Sequence, residues 1–406
     1  MVGIAVYTTG LAEALVRRGH EVQVVAGKPY YPGWKVPADF KRGYSRRTTE
    51  AGVDLTRVAH YVPADPTGFR RIVHHVTFAL SAFIPTLIRA IAQRPDVVLT
   101  IAPSLIATPV ARLAAAVTGA RSWLHIQDFE VEAAMATSLI GGAGLGARAA
   151  RWFEWRMLTL FGRVSSISSA MCHKLVEKGV PTQRIIELRN WADIDRIVPL
   201  DRPSTYRAKW GITTPYVALY SGNIANKQGI DIVIAAARRL QHRTDLTFVV
   251  CGDGPNRAKL ERRGADLSNI IFRDLQPKEE LKELLGLATI HILPQLATAA
   301  DLVLPSKLAN MLASGRPVVA TAHLGTGLAD EVEGCGLVVA PEDETAFADA
   351  IEQLLDNEVF RDAFAIEARR RAQARWECDA IIDGLERALF DAVEKPTGVH
   401  APLPRA

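Results

Sequence analysis

Lys307 stands where a cation is least expected. It follows Pro305 and Ser306, ahead of Leu308, Met311 and Leu312, whose spacing predicts a helix that Gly315 ends. Pro305 suits a helix start, because its missing N–H would find no partner there anyway. A cation in the first turn opposes the positive end of the helix dipole, at roughly 0.3–1 kcal/mol when exposed. A bound anion reverses that sign, since the free N–H groups and the ammonium then face it together. The plain alternative is a solvated surface lysine.

Other polar residues fall at strand ends, where ligands of open parallel sheets bind. Ser221-Gly222-Asn223 closes an apolar run, with Lys227 and Gly229 in the loop behind it. Gly252-Asp253-Gly254-Pro255 closes the next. Gly222 would let a ligand approach the backbone closely. Together with Pro305-Ser306-Lys307 these residues could converge on one diphosphate, and a nucleotide fits them better than a bare sugar. Gly-Asp-Gly by itself is equally a turn. In the first half, His125 and Asp128 end the strand-like stretch 121–128. Asp128 could act as a base or accept from a hydroxyl, and His125 could hydrogen-bond a sugar; the alternative is a structural His–Asp pair. Asn190-Trp191 reads as structural. The chain has no Walker loop, nucleophile elbow, H-E-x-x-H, or G-x-G-x-x-G after a strand.

Strands and helices alternate in both halves, which predicts parallel-sheet α/β domains. The first half offers strands at 20–27, 52–59, 95–101, 121–128, 164–169 and 185–192; a polar linker spans 195–214; the second half offers 216–223, 246–251, 269–273, 290–295, 317–321 and 337–340. The expected domains are 1–195, 196–380, and a C-terminal helix end and disordered tail at 381–406. The chain opens on a helix, closed by Gly19, whereas a doubly wound domain opens on a central strand. A first strand is therefore expected upstream.

The 406 residues suffice for two domains, and a net charge of +4 with no RNA- or DNA-binding signature argues against a nucleic-acid protein. The four cysteines lie far apart, so no zinc site or disulfide framework is expected. No secretory signal opens the chain. Two stretches suit a membrane interface: the apolar segment between Arg71 and Arg89, and the Arg/Trp segment 148–161. The alternative is a pair of core helices with basic edges.

Tyr220-Ser-Gly-Asn-Ile-Ala-Asn-Lys-Gln-Gly229, Cys251-Gly-Asp-Gly-Pro255 and Leu304-Pro-Ser-Lys-Leu-Ala-Asn-Met-Leu-Ala-Ser-Gly-Arg-Pro-Val-Val319 resemble the retaining glycosyltransferases of family 4. The resemblance spans nearly the whole chain. Leu124-His-Ile-Gln-Asp-Phe-Glu130 and Pro29-Tyr-Tyr-Pro-Gly-Trp34 are similar to the branch that builds bacterial exopolysaccharides, such as colanic-acid transferases. The resemblance implies the GT-B fold: two doubly wound, Rossmann-like parallel-sheet domains facing a cleft. It implies a nucleotide-sugar donor on the C-terminal domain, a glycan or lipid-linked acceptor on the N-terminal domain, and neither metal nor cofactor. The expected setting is the cytoplasmic face of a bacterial membrane, with peripheral contact through residues 70–89 and 148–161. Lys227 matches the family's diphosphate-binding lysine, and Ser306 and Lys307 its phosphate-binding helix start. Many members carry two glutamates eight residues apart here, where this chain has Leu302 and Asn310; Asn310 could bond the ribose, and Asp301 could serve for Leu302. Asn223 stands where an arginine often helps Lys227, and of the family's first Gly-rich loop only Gly3 remains. Two rivals follow from these departures: a GT-B nucleotide-sugar epimerase or hydrolase, and a non-catalytic GT-B-like subunit.

Overall fold

A computed structural model of the chain describes residues 4–31, 33–136, 144–225, 228–297 and 304–394. Two compact units emerge, Met1–Leu188 with Ile382–Ala406, and Arg189–Ile381. Lys227, Asp301, Leu302, Gly3 and the tail from 395 onward lie outside the described residues.

The first unit holds two sheets. β1 (Gln23–Gly27), β2 (Ser45–Glu50) and β3 (Val53–Val58) form one, ordered β1-β3-β2; β4 (Val97–Ala102), β5 (Arg121–Ile126), β6 (Arg163–Ser166) and β7 (Ile185–Glu187) form the other in chain order. β1 pairs with β3 in parallel and β2 with β3 antiparallel, while the second sheet is parallel throughout. Among the described residues β1 and β4 pair on one side only. β2 was not anticipated, because Ser45-Arg-Arg-Thr-Thr-Glu50 is polar on both faces and carries no period-2 signal. Cross-strand ion pairs, Arg47 with Asp54 and Arg57 with Glu50, hold it instead.

Helices run from Ile4 to Arg17, from Gly68 to Gln93 and from Thr108 to Thr118, the last two packed together. The helix Cys378–Glu394 joins this unit: Glu386 takes ion pairs from Arg18 and His20, and Asp383 a second from Arg18.

The second unit is one parallel sheet. β8 (Tyr216–Ser221), β9 (Leu246–Cys251), β10 (Ile270–Arg273), β11 (Ile290–Leu293), β12 (Val318–Thr321) and β13 (Gly336–Val339) are ordered β10-β9-β8-β11-β12-β13. Helices cover both faces, so the strands are apolar on both: Val217, Ala218, Leu219 and Tyr220 are all fully buried. Leu308, Met311 and Leu312 of the helix Ser306–Ala313 pack with Leu293, Val318 and Ala320, and with Ala368, Ala372 and Trp376 of the helix Glu358–Trp376. Each such large side chain contributes roughly 1.5–3 kcal/mol. Arg369 donates to the carbonyl of Ala313, a last-turn acceptor that the helix itself leaves unpaired. The chain winds outward through β9 and β10 on one side and β12 and β13 on the other. β8 and β11 are therefore the switch point, where a ligand crevice is expected.

Candidate active site

Two loops leave β8 and β9 in backbone contact. Ile224 N–H donates to Asp253 C=O at 2.8 Å, and Gly222 N–H to Cys251 C=O at 3.0 Å. A methyl group at Gly252 would lie 1.9 Å from Gly222 O, and one at Gly254 2.4 Å from Ile224 O. Only glycine fits either place. Gly-Asp-Gly is thus a packing device between strand ends, more than the simple turn it could have been. Asp253 is spent locally, its Oδ1 accepting from Gly254 N–H at 2.7 Å. Asn223 is exposed, and its carbonyl accepts from the Tyr220 hydroxyl at 2.6 Å.

Lys307 reaches this place from across the switch point. Its Nζ lies 4.0 Å from the centroid of the Tyr220 ring. Gly222 leaves it room: a methyl group there would stand 3.5 Å from its Cδ and 3.8 Å from its Nζ. The Nζ is enclosed and has no hydrogen-bond partner among the described residues. Burial pulls its pKa down to about 7. The solvated surface lysine is therefore overturned; the ammonium is desolvated, and among the described residues a ring face balances it. Ser306 is exposed at the helix start, where Pro305 is the residue before the first turn, and Asn310 is half-buried one turn further on. Three residues that sequence reasoning passed over join them. Thr321 Oγ1 accepts from Gln295 N–H and donates to its C=O, both at 2.7 Å, which pins the ends of β11 and β12. The side-chain oxygens of Gln228 and Gln295 are enclosed without partners among the described residues.

In the first unit His125 is held inside. Its Nδ1 lies 2.8 Å from Ser165 Oγ, which also accepts from Trp123 Nε1–H at 2.8 Å, and the ring is 2 % exposed. Burial pushes its pKa to about 4, so it is a neutral group near pH 7 and no acid or cation. His125 pairs with Ser165, opposite it in register, through side chains that a reading of one strand cannot align. Asp128 is half-buried, and its charge helps raise the pKa of Glu130.

Glu130 is the carboxylate that the sequence analysis left unassigned, although its motif was in view. Its two oxygens accept from Ser104 N–H at 2.9 Å and Leu105 N–H at 2.6 Å, just beyond β4. Burial, more than Asp128, raises its pKa. His75 Nε2 lies 3.7 Å from it. A ring cluster adjoins: His74 contacts His75, His60, Tyr30 and Trp34 at centroid distances of 5.1, 4.7, 4.7 and 5.5 Å. These groups follow β1, β3, β4 and β5, so they too gather at carboxyl ends.

Both units match known families. Residues 2–191 match "Glycosyl transferase 4-like domain", and residues 215–357 match "Glycosyl transferases group 1". Over 368 residues the chain is 37 % identical to a protein of Escherichia coli (strain K12) provisionally named the colanic acid biosynthesis glycosyl transferase WcaI, covering 87 % of this chain and 89 % of that one. The chain belongs to the family-4-like, group 1 glycosyltransferases. Alpha-D-kanosaminyltransferase of Streptomyces kanamyceticus is 27 % identical over 58 % of this glycosyltransferase and 62 % of its own length. Among solved structures, sucrose-phosphate synthase from Thermosynechococcus elongatus superposes with a TM-score of 0.69 at 18 % identity, covering 96 % and 94 % of the two chains. HepE of Anabaena, in complex with UDP, gives 0.68 at 13 %, covering 92 % and 100 %. These likenesses establish the GT-B fold. The group 1 match contains all the described residues around Lys307, and the 4-like match contains the Glu130 cluster.

Proposed function

We propose that this glycosyltransferase moves a hexose, with retention, from a nucleotide-diphosphate sugar to a lipid-linked glycan in exopolysaccharide assembly. The observation that carries the donor side is the enclosed Lys307 ammonium, which has no counter-ion among the described residues and lies beside a glycine-lined strand end and a helix start. A diphosphate there would pair with Nζ and with the free N–H groups of the first turn. As the sugar C1–O bond breaks, negative charge grows on the leaving diphosphate, and these groups stabilise it more in the transition state than before. Lys227 is assigned to the same diphosphate, Asn310 to the ribose, Asp301 to the sugar, and the open amide oxygens of Gln228 and Gln295 to hydroxyl groups. No protein nucleophile, metal or cofactor is invoked: the acceptor oxygen attacks C1 from the departing group's own face, and its proton leaves with the diphosphate. The acceptor side is assigned to Glu130, Asp128 and the ring cluster of Tyr30, Trp34 and His74. Rings of this kind suit the C–H faces of a sugar, and Glu130 suits its hydroxyls. UDP in the HepE complex and the colanic-acid designation of the E. coli relative support the donor and acceptor classes.

Thermal melts with UDP, GDP and their sugars test the donor reading, since binding to the folded state alone stabilises by RT ln(1 + [L]/Kd). One nucleotide diphosphate should raise the melting temperature of the wild type and not of Lys307→Ala. Equal shifts in both proteins, or none in either, would falsify the assignment. The anomeric configuration of the product, read by NMR, decides retention.

A further inference from the structure

The helix Gly68–Gln93 is built inside out. It turns His74, Ala79, Ala82 and Ala90 inward, while Ile72, Val76, Leu80, Ile84, Ile88 and Ile91, at every third or fourth position, are exposed. Leu80 is 69 % exposed and Ile88 62 %. A core helix places its large aliphatic side chains the other way round. The helix is long and apolar enough to cross a bilayer, yet it is fastened along one side. Arg89, expected at a membrane edge, instead donates to Thr56 Oγ1 and Gln23 Oε1 and pairs with Asp54 of the sheet. Helix Thr108–Thr118 packs on it and adds exposed Leu113 and Val117; Arg112 of that helix donates to Leu160 C=O at the end of helix Leu145–Leu160, which exposes Trp152 and Trp155.

The charge on these three helices has one sign. Their only carboxylate, Glu154, is buried and tied to Lys178 at 2.7 Å. Arg70, Arg71, Arg148, Arg151 and Arg156 are exposed. Two such faces would repel each other, which disfavours a second copy as the cover. An apolar stripe with exposed tryptophans and a predominantly cationic rim, in which Arg70 also pairs with Asp65, complements an anionic lipid surface. We propose that this face of the first unit rests on the anionic leaflet of a membrane, with helix Gly68–Gln93 lying in the interface rather than spanning it. The proposal stands apart from the donor-site reading, and its test needs no turnover.

The test is co-sedimentation with vesicles of phosphatidylglycerol and phosphatidylcholine, against phosphatidylcholine alone, at low and high salt. The wild type should sediment with the anionic vesicles at low salt and be released at high salt, because screening shortens the attraction. Arg148→Gln/Arg156→Gln should weaken partition about 25-fold, at about fivefold per cation. Leu80→Glu/Ile88→Glu should abolish it with an unchanged melting temperature. Wild type left in the supernatant, or undiminished binding of the arginine pair variant, overturns the proposal. So does self-association without vesicles that Leu80→Glu/Ile88→Glu reverses, which would make the cover a second copy.

Discussion

The second unit buries a charge and the first unit exposes oil. Around β8 to β13 every strand is covered on both faces, and the closing of that sheet draws Lys307 Nζ out of water against Tyr220. Around β1 to β7 the sheets are two, and the longest helix shows isoleucines to the outside. Each is a local loss of stability: a desolvated ammonium in one place, unburied apolar area in the other. Such losses persist where another molecule removes them. On the proposed function, the unit with the better-closed core would carry the chemistry of charge, and the other the recognition of larger partners.

The sharpest way to break the comparison is Lys307→Ala. Turnover should fall on the order of 100- to 1,000-fold, as for other electrostatic partners of a leaving group, while the melting temperature stays level or rises. Kinetics beside a melting curve decide it; lost turnover with a large fall in melting temperature would make Lys307 a structural residue.

Next in size is Gly252→Ala. Its methyl group would meet Gly222 O at 1.9 Å, backbone against backbone, so one loop must move. A loss of about 3 kcal/mol is expected, read by urea unfolding, with donor binding weakened alongside. An unchanged midpoint would mean the two strand ends are not locked together.

Glu130→Gln probes the first unit. It keeps the shape but removes the charge that accepts from Ser104 and Leu105, at roughly 1.5–3 kcal/mol for a charged hydrogen bond. Turnover should drop about 10- to 100-fold with the acceptor KM affected and the nucleotide Kd unchanged. A changed nucleotide Kd alone would place Glu130 on the donor side instead.

The smallest effect is a difference in pH windows. Lys307 has a folded pKa of about 7, below the ~10.4 of an unfolded lysine. Below pH 7 folding carries the full cost of enclosing its charge. Between about 7 and ~10 the unfolded state binds the extra proton, so stability rises with pH. Lys307→Met should therefore melt above wild type, with a gap widest below pH 7 and closing toward pH 10. The first unit works on the other side of neutrality. Burial lowers the pKa of His60 and His125 to about 4, and those of His74 and His75 in direction. Their contribution is present above ~6.5 and is lost as pH falls toward 4. In the second unit His291 shares that trend. His60→Asn should flatten the acid limb of the melting profile and leave the alkaline limb untouched. A constant gap for Lys307→Met across pH 6–10 would show that its ammonium is solvated.

Much of this molecule was legible as a string of residues. Alternating apolar runs and helical spacings suffice for the second unit, because buried parallel strands and their covering helices are each local patterns. The glycines at 222 and 252 and the Pro-Ser-Lys start were visible for the same reason: turn and cap chemistry acts over three or four residues. The motif 124–130 was equally plain as a motif. Pairing was not legible. The polar strand β2 exists through ion pairs with β3; His125 is anchored to Ser165 on the next strand; and Glu130 gains its partners from Ser104 and Leu105, more than twenty residues earlier.

By itself, then, the sequence determined the two-unit α/β architecture, the glycosyltransferase family and the cation at the helix start, since composition, period and short motifs are properties of neighbours along the chain. It took the folded chain to show that this cation is enclosed without a counter-ion among the described residues, that Gly252 packs on Gly222, that Arg89 turns inward, and that a helix hides its alanines and shows its isoleucines. Burial and pairing are set by residues far apart in sequence, and no local pattern records which face of a helix the rest of the fold will cover.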